Sequence, residues 1–367
     1  MKYINLVVLF IVGTAVILLL SQTIEKNKVT EEVPQTQNNN STSSPLVVAQ
    51  NLDTPWAITF LPDKGMLFTE RPGRVQYIDK NGNIVLVATI QSVKEIGEGG
   101  LLGIVTHPKF SSNNFIYLYY TYSSNGNDTL NRVVRMTYKN NKLSDEKIIV
   151  DKIPGASNHN GGRIKFGPDN YLYITTGDAQ NPSQAQKTDT LAGKILRVTD
   201  EGKKVSGNPF DNLVYSYGHR NPQGIAWDSN GNLWETEHGQ SATDEINLIE
   251  SGKNYGWPTI RGKQTKNGLT SPVTQSGSDT WAPSGAAFVG NSLFFASLRG
   301  QALFEAVIEN NQVVSIKERF KGTYGRIRDV VLGPDNMLYI TTSNRDGRGN
   351  PENTDDRIIK INKTTAN

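Results

Sequence analysis

Two stretches of this chain are near copies of one another. Residues 166–178 read FGPDNYLYITTGD and residues 332–344 read LGPDNMLYITTSN. Weaker copies stand at 60–70 (FLPDKGMLFTE), 106–122 (THPKFSSNNFIYLYYTY), 226–239 (AWDSNGNLWETEHG) and 288–298 (FVGNSLFFASL). Each begins with an apolar residue and a polar turn of Pro, Asp, Asn or Gly. An apolar and aromatic run follows and often ends in Thr, which is the pattern of strand, tight turn, strand. With Pro62, Pro108, Pro168, Ser229, Gly290 and Pro334 as anchors, the copies lie 46, 60, 61, 61 and 44 positions apart. Six copies, each with room for four strands, predict an all-β fold, a six-bladed β-propeller over residues 46–367. A pair of β-sandwiches is the alternative, but it does not require one turn motif to recur around the chain. Ring closure removes exposed sheet edges, and the loops around the central channel are where such a ring carries chemistry.

The rest of the sequence narrows the function classes. The chain has no cysteine, so disulfides, thiolate metal sites and a Cys nucleophile are excluded. A net charge of +3 over 367 residues is too small for an electrostatic nucleic-acid binder, and no nucleic-acid partner is expected. No phosphate-cradling or dinucleotide fingerprint is present. Ile4 to Leu20 is an apolar run preceded by Lys2, at the short end of what can cross a bilayer. Residues 1–20 are read as a retained membrane anchor, with a cleaved signal segment as the alternative. Residues 21–45 are polar and read as a disordered linker. Either reading places the ring outside the cytoplasm, anchored or secreted.

Four loops hold residue types that packing explains poorly. The first, Gly155 to Arg163, carries His159 among small polar residues, and neutral imidazole is the usual base near neutral pH. The second, Ser216 to Gly224, carries Arg220 and Asn221; Arg offers a planar fork suited to carboxylates or phosphates. The third, Glu237 to Glu245, is rich in oxygen ligands beside Gly239 and suits a hard cation such as Ca²⁺, though not with EF-hand spacing. In the fourth, Arg326 and Arg328 fall at period 2 and share a strand face, so an anion or an acid such as Asp329 must join them. Arg299 is a further cation at a strand end. A solvated surface loop remains the alternative for the first two. Together these groups suggest a small polyanion placed beside a base.

The matching stretches begin with Pro55-Trp56-Ala57-Ile58, Thr69-Glu70-Arg71-Pro72-Gly73-Arg74 and Gly97-Glu98-Gly99-Gly100-Leu101-Leu102-Gly103 with His107-Pro108. They continue through His159-Asn160-Gly161-Gly162-Arg163, Gly177-Asp178, Leu191-Ala192-Gly193-Lys194-Ile195-Leu196-Arg197 and Gly218-His219-Arg220-Asn221-Pro222-Gln223-Gly224. Asp244-Glu245-Ile246-Asn247, Asn254-Tyr255-Gly256-Trp257-Pro258 and the Arg326/Arg328 strand complete the set. In this order, over roughly residues 46–362, the chain resembles the soluble pyrroloquinoline quinone (PQQ)-dependent sugar dehydrogenases, in particular the aldose sugar dehydrogenase branch of the glucose/sorbosone dehydrogenase family.

The resemblance implies a six-bladed propeller that oxidises the C1 hydroxyl of aldose sugars to lactones and passes electrons to an external acceptor. It implies His159 as general base and Asp178 as the acid that orients it. It implies that Glu98, Arg220, Asn221, Arg299, Arg326 and Arg328 face the tricarboxylate quinone. It implies Ca²⁺ on the carbonyls of Gly239 and Gln240, and a further Ca²⁺ with Glu245 and Tyr255. Three positions depart from the pattern. Glu98 replaces a common Gln, and an acid beside an anionic quinone is unfavourable unless it is protonated or paired. Arg299 stands where some members have Lys, and Gln240 where Pro is frequent. A calcium-dependent propeller lactonase and a non-catalytic binding propeller are the competing readings.

Overall fold

The structure, a computed structural model, describes residues 44–363. The expected anchor at 1–20, and all but the last two residues of the expected linker at 21–45, lie outside the described residues.

Six four-stranded antiparallel sheets follow one another around a ring. Blade one comprises β2 (Pro55–Phe60), β3 (Met66–Glu70), β4 (Arg74–Ile78) and β5 (Ile84–Thr89). Blade two is β6 (Leu101–Thr106), β7 (Phe115–Tyr122), β8 (Leu130–Lys139) and β9 (Lys142–Pro154). Blade three is β10 (Ile164–Phe166), β11 (Leu172–Thr176), β12 (Lys194–Val198) and β13 (Val214–Tyr217). Blade four is β14 (Pro222–Trp227), β15 (Leu233–Glu237), β16 (Glu245–Ile249) and β17 (Thr274–Gln275). Blade five is β18 (Pro283–Val289), β19 (Ser292–Ser297), β20 (Ala302–Glu309) and β21 (Gln312–Arg319). Blade six takes β22 (Ile327–Leu332), β23 (Leu338–Thr342) and β24 (Ile358–Ile361) from the end of the chain. Its outer strand is β1 (Leu46–Ala49), from the beginning, paired antiparallel to β24. The ring is therefore closed by hydrogen bonds between its two ends.

The recurring turn motif has a physical cause. In each of four copies, one Asp oxygen accepts the amide two residues on: Asp63 from Gly65, Asp169 from Tyr171, Asp228 from Asn230 and Asp335 from Met337. These are Asx turns. The other oxygen takes the polar tip of a buried aromatic residue: Tyr77, Tyr173, Trp234 and Tyr339 at 2.9–3.1 Å. One carboxylate thus shapes the hairpin and satisfies a donor that blade packing buries. In the fourth copy the acid is Asp228, one place before the anchor Ser229 rather than one place after it, so that copy is offset by two.

Second strands are buried on both faces because blades stack on either side; β11 and β23 are buried throughout. Large side chains such as Trp234, Phe68 and Phe295 are fully enclosed, each worth roughly 1.5–3 kcal/mol of burial. First strands line the axis, with β2 beside β6 and β22, and β18 beside β14 and β22. A buried ion pair, Arg163–Asp329 at 3.1 Å, crosses the axis between blades three and six, and Asp329 also accepts the Ile58 amide of blade one at 3.2 Å.

Antiparallel order sorts the loops. The start of each first strand and the end of each second strand lie at one end of the ring, and the Asx turns lie at the other. An open hollow between the turn loops is lined by Phe60, Phe166, Trp227, Phe288 and Leu332, and no expected site residue lines it.

Candidate active site

His159 sits in the loop entering β10, and Asp178 in the loop leaving β11, so strand order alone makes them neighbours. The His159 ring Nδ1 lies 2.8 Å from Asp178 Oδ1. Asp178 is fully buried and accepts two further bonds, from the Gln180 amide at 2.8 Å and from Trp257 Nε1 at 2.8 Å. A carboxylate only accepts, so the imidazole proton is placed on Nδ1 and the lone pair on Nε2. His159 itself adopts a left-handed backbone, φ 63°, and its amide is held by Glu98 Oε2 at 3.0 Å. Gly177 is required beneath it, because a Cβ there would lie 1.8 Å from the His159 carbonyl oxygen.

Cations gather around this pair. Arg326 gives two bonds to Asp346 Oδ2, at 2.7 and 3.0 Å, and Arg328 lies 3.7 Å from the same oxygen. The acid joining the two is therefore Asp346, since Asp329 is engaged with Arg163 on the axis. Arg328 also donates to Gln223 at 2.8 Å, and burial pushes its pKa down to about 9, against the pull of Asp346. Burial likewise lowers Arg220, with Asp178 and Glu237 opposing it. Arg220 Nε, Arg328 Nε and Asn221 Nδ2 are buried donors with no partner in the protein. Their shared deficit is an acceptor, and depressed cations gain most from an anion.

Two small cavities meet at His238. One is lined by Glu98, Arg71, Gln223, His238, Arg328, Asp346 and Arg348. The other is lined by Arg220, His238, Gly239, Gln240, Glu245, Tyr255 and Trp257. Burial pushes His238 down to about 4, so it is neutral at pH 7. The four positions expected to hold calcium thus share one wall. The Tyr255 hydroxyl is already committed, donating to the Leu248 carbonyl at 2.6 Å and accepting the Glu250 amide at 2.9 Å, so only its main chain is free to serve a cation. Behind this wall lie further carboxyls, of which sequence reasoning missed Glu235. Glu235 and Glu237 cluster with His219, and Asn247 bridges Glu235 to Glu245. Burial, then the neighbouring Glu237, raises Glu245 to about 8. Glu235 Oε1 and Asn247 Oδ1 are buried without partners. An oxygen-rich set held partly neutral, with unused acceptors, fits a hard cation.

Two of the residues expected on the cofactor wall differ in their surroundings. Glu98 is neither protonated nor unpaired: burial opposes its ionisation, but His238, the His159 amide and Arg348 override this and hold it at about 2. Arg299 is exposed and lines a separate surface hollow with Trp281, Glu318 and Lys321, and lines neither cavity at His238. Trp257, Gln223, Asp346 and Arg348 were not singled out from sequence. For the last two a signal existed: the loop after LYITT carries Asp178 in blade three, so the loop after LYITT in blade six, Ser343 to Gly349, is its equivalent.

Known proteins share this arrangement of chain. A family model described as Glucose / Sorbosone dehydrogenase matches residues 52–353. A solved PQQ-bound aldose sugar dehydrogenase of Streptomyces coelicolor superposes with a TM-score of 0.83 at 39% identity, covering 87% of this chain and 98% of that one. Aldose sugar dehydrogenase YliI of Escherichia coli is 33% identical over 338 residues, 82% of this chain and 90% of its own. Quinoprotein glucose dehydrogenase B of Acinetobacter calcoaceticus is 35% identical over 258 residues, 60% of this chain and 54% of its own.

Proposed function

The chain belongs to the glucose/sorbosone dehydrogenase family, and from that premise we propose that it is a quinoprotein that oxidises the C1 hydroxyl of aldoses to lactones and hands the electrons to an external acceptor. One observation carries the reading: a base with its lone pair fixed on Nε2 stands beside buried, unpartnered donors from Arg220, Asn221 and Arg328. A tricarboxylate quinone satisfies those donors, and when bound it supplies the electron sink for the departing hydride.

His159 Nε2 takes the C1 hydroxyl proton as hydride leaves carbon. Asp178 holds the ring and stabilises the imidazolium, and Trp257 and Gln180 keep that carboxylate from turning away. Arg220, Asn221, Arg326 and Arg328 would hold the carboxylates of the cofactor. The Gly239 and Gln240 carbonyls would hold a Ca²⁺ that polarises a quinone oxygen, and Glu245 with the Tyr255 main chain a structural one. The location outside the cytoplasm, anchored or secreted, rests on the apolar run at 4–20 and the polar stretch after it.

The test is reconstitution of the purified protein with PQQ and Ca²⁺, followed by dye reduction with several aldoses and the absorption spectrum before and after glucose. Retained quinone that is bleached by sugar supports the reading. Failure to retain quinone, or retained quinone that no aldose reduces, overturns it.

A further inference from the structure

An ion pair closes the cofactor wall from the far side of the sequence. Arg348, in the loop between β23 and β24, puts Nη1 2.6 Å from Glu98 Oε1 and Nη2 2.5 Å from Asn158 Oδ1. Glu98 belongs to the connection between blades one and two, and Asn158 to the loop of His159. The other Glu98 oxygen holds the His159 amide. The Arg348 amide in turn donates to Asp346, the acid shared by Arg326 and Arg328. Arg348 therefore touches, directly or through one residue, both the base loop and the cation pair. The Glu98 loop has little freedom: its amide donates to the Ser157 carbonyl at 2.7 Å, and a Cβ on Gly97 would lie 2.1 Å from that carbonyl oxygen. The carboxylate is thus fixed on the wall that Arg328 and Arg71 share. Left alone there, it would repel an anion.

We infer that Arg348 is a positioning residue for the quinone site: by pairing with Glu98 it cancels the acid's repulsion of an anionic ligand while leaving the acid free to hold the His159 main chain. This inference rests on the quinone reading given above. It assigns Glu98 a role other than contact with the cofactor, and it makes positions 98 and 348 a coupled unit. Arg348 is half exposed, and its two short bonds reach neighbouring loops rather than the core.

The experiment is a double-mutant cycle on the calcium-loaded protein. PQQ affinity is read by quenching of tryptophan fluorescence, with thermal melting as the control for folding. Arg348→Gln is expected to weaken PQQ binding by about ten- to a hundredfold, the scale for one unpaired like charge near a partly buried ligand. Glu98→Gln is expected to bind PQQ as well as or better than wild type. The double variant is expected to recover most of the loss, which mere damage to the loop would not allow. Wild type that binds PQQ with Arg348→Gln unchanged, or a double variant as weak as Arg348→Gln, overturns the inference alone. Glu98→Gln that binds much more weakly than wild type also overturns it. Wild type that does not bind PQQ overturns the reading of the site and the inference with it.

Discussion

Asp178→Asn is the most informative change at the base. The carboxylate makes three bonds, all as acceptor: Oδ1 receives His159 Nδ1 and the Gln180 amide, and Oδ2 receives Trp257 Nε1. An amide of the same shape has one acceptor and one donor. If its NH₂ takes the Oδ1 position, it faces the Gln180 N–H and forces His159 Nδ1 to accept, which moves the ring proton to Nε2 and removes the base. If the NH₂ takes the Oδ2 position, the buried Trp257 N–H loses its acceptor. Either way one donor is left unpaired, at roughly 1–3 kcal/mol. The Trp257 site is the drier, so the first arrangement is favoured and the lone pair leaves the substrate side. The expected result is a fall in kcat on the order of a thousand- to ten-thousandfold, the cost of fixing the wrong tautomer. PQQ affinity should not fall, because the Asp178 carboxylate bonds to the imidazole, the indole and the Gln180 amide, and loss of its charge frees Arg220 from a competing anion. Stopped-flow bleaching of bound quinone by glucose measures the step directly. If Asp178→Asn reduces quinone within about tenfold of wild type, the hydrogen-bond argument for the base is wrong.

Gly177→Ala should displace the His159 carbonyl, since a Cβ would meet its oxygen at 1.8 Å; loss of turnover together with about 1–3 kcal/mol of stability is expected, and a fully active, equally stable variant would refute the packing argument. Asp169→Ala should lower stability by about 1–3 kcal/mol by orphaning Tyr173 and opening an Asx turn, while kcat and KM stay unchanged because that turn lies at the other end of the ring; altered kinetics would contradict the assignment of ends. Glu245, raised to about 8 by burial and then Glu237, holds a proton in the folded state that the unfolded chain releases near its ordinary carboxylate value. The Glu245 contribution to metal-free stability should therefore be fully present below that value and fall as pH rises toward 8, by at most about 1.4 kcal/mol per pH unit. Glu245→Gln should flatten that slope in chelator, and an unchanged slope in melts across pH 5–8 would assign the proton elsewhere.

The ring was legible because its repeat is a local device. An Asp that closes a turn and caps an aromatic residue must sit at a fixed short offset from both, so the pattern survives in one dimension. Arg326 with Arg328 was legible for a related reason, since both lie at one strand end; Asp178 came from the family resemblance, and the structure sets it on the same blade as His159. Arg348 was not legible. Its partner Glu98 is 250 positions away, and only closure of the ring brings blade six against the first connection. Trp257 and Gln223 escaped notice for the same reason, as each serves a residue from another blade. Arg299 shows the reverse relation. A cation at a strand end was expected on the shared wall, and in the structure it is exposed and lines a separate hollow.

The pairing of β1 with β24 has a further consequence, for the lifetime of the protein. Four residues at the start of the ring hold its end shut, and beside that joint the Leu52 and Asp356 main chains exchange bonds at 3.0 and 3.1 Å. Contacts between the two ends of a chain are the last to be made and the first to fray. Arg326, Arg328 and Arg348 lie on the last blade, and Arg220 and Asn221 lie where blade three meets blade four. A ligand held by both sets is a bolt across the circle. At a thousandfold excess over its Kd such a ligand adds about 4 kcal/mol to the closed state. Supply of the cofactor would then govern how long each copy resists proteases, as well as how fast it turns over sugar.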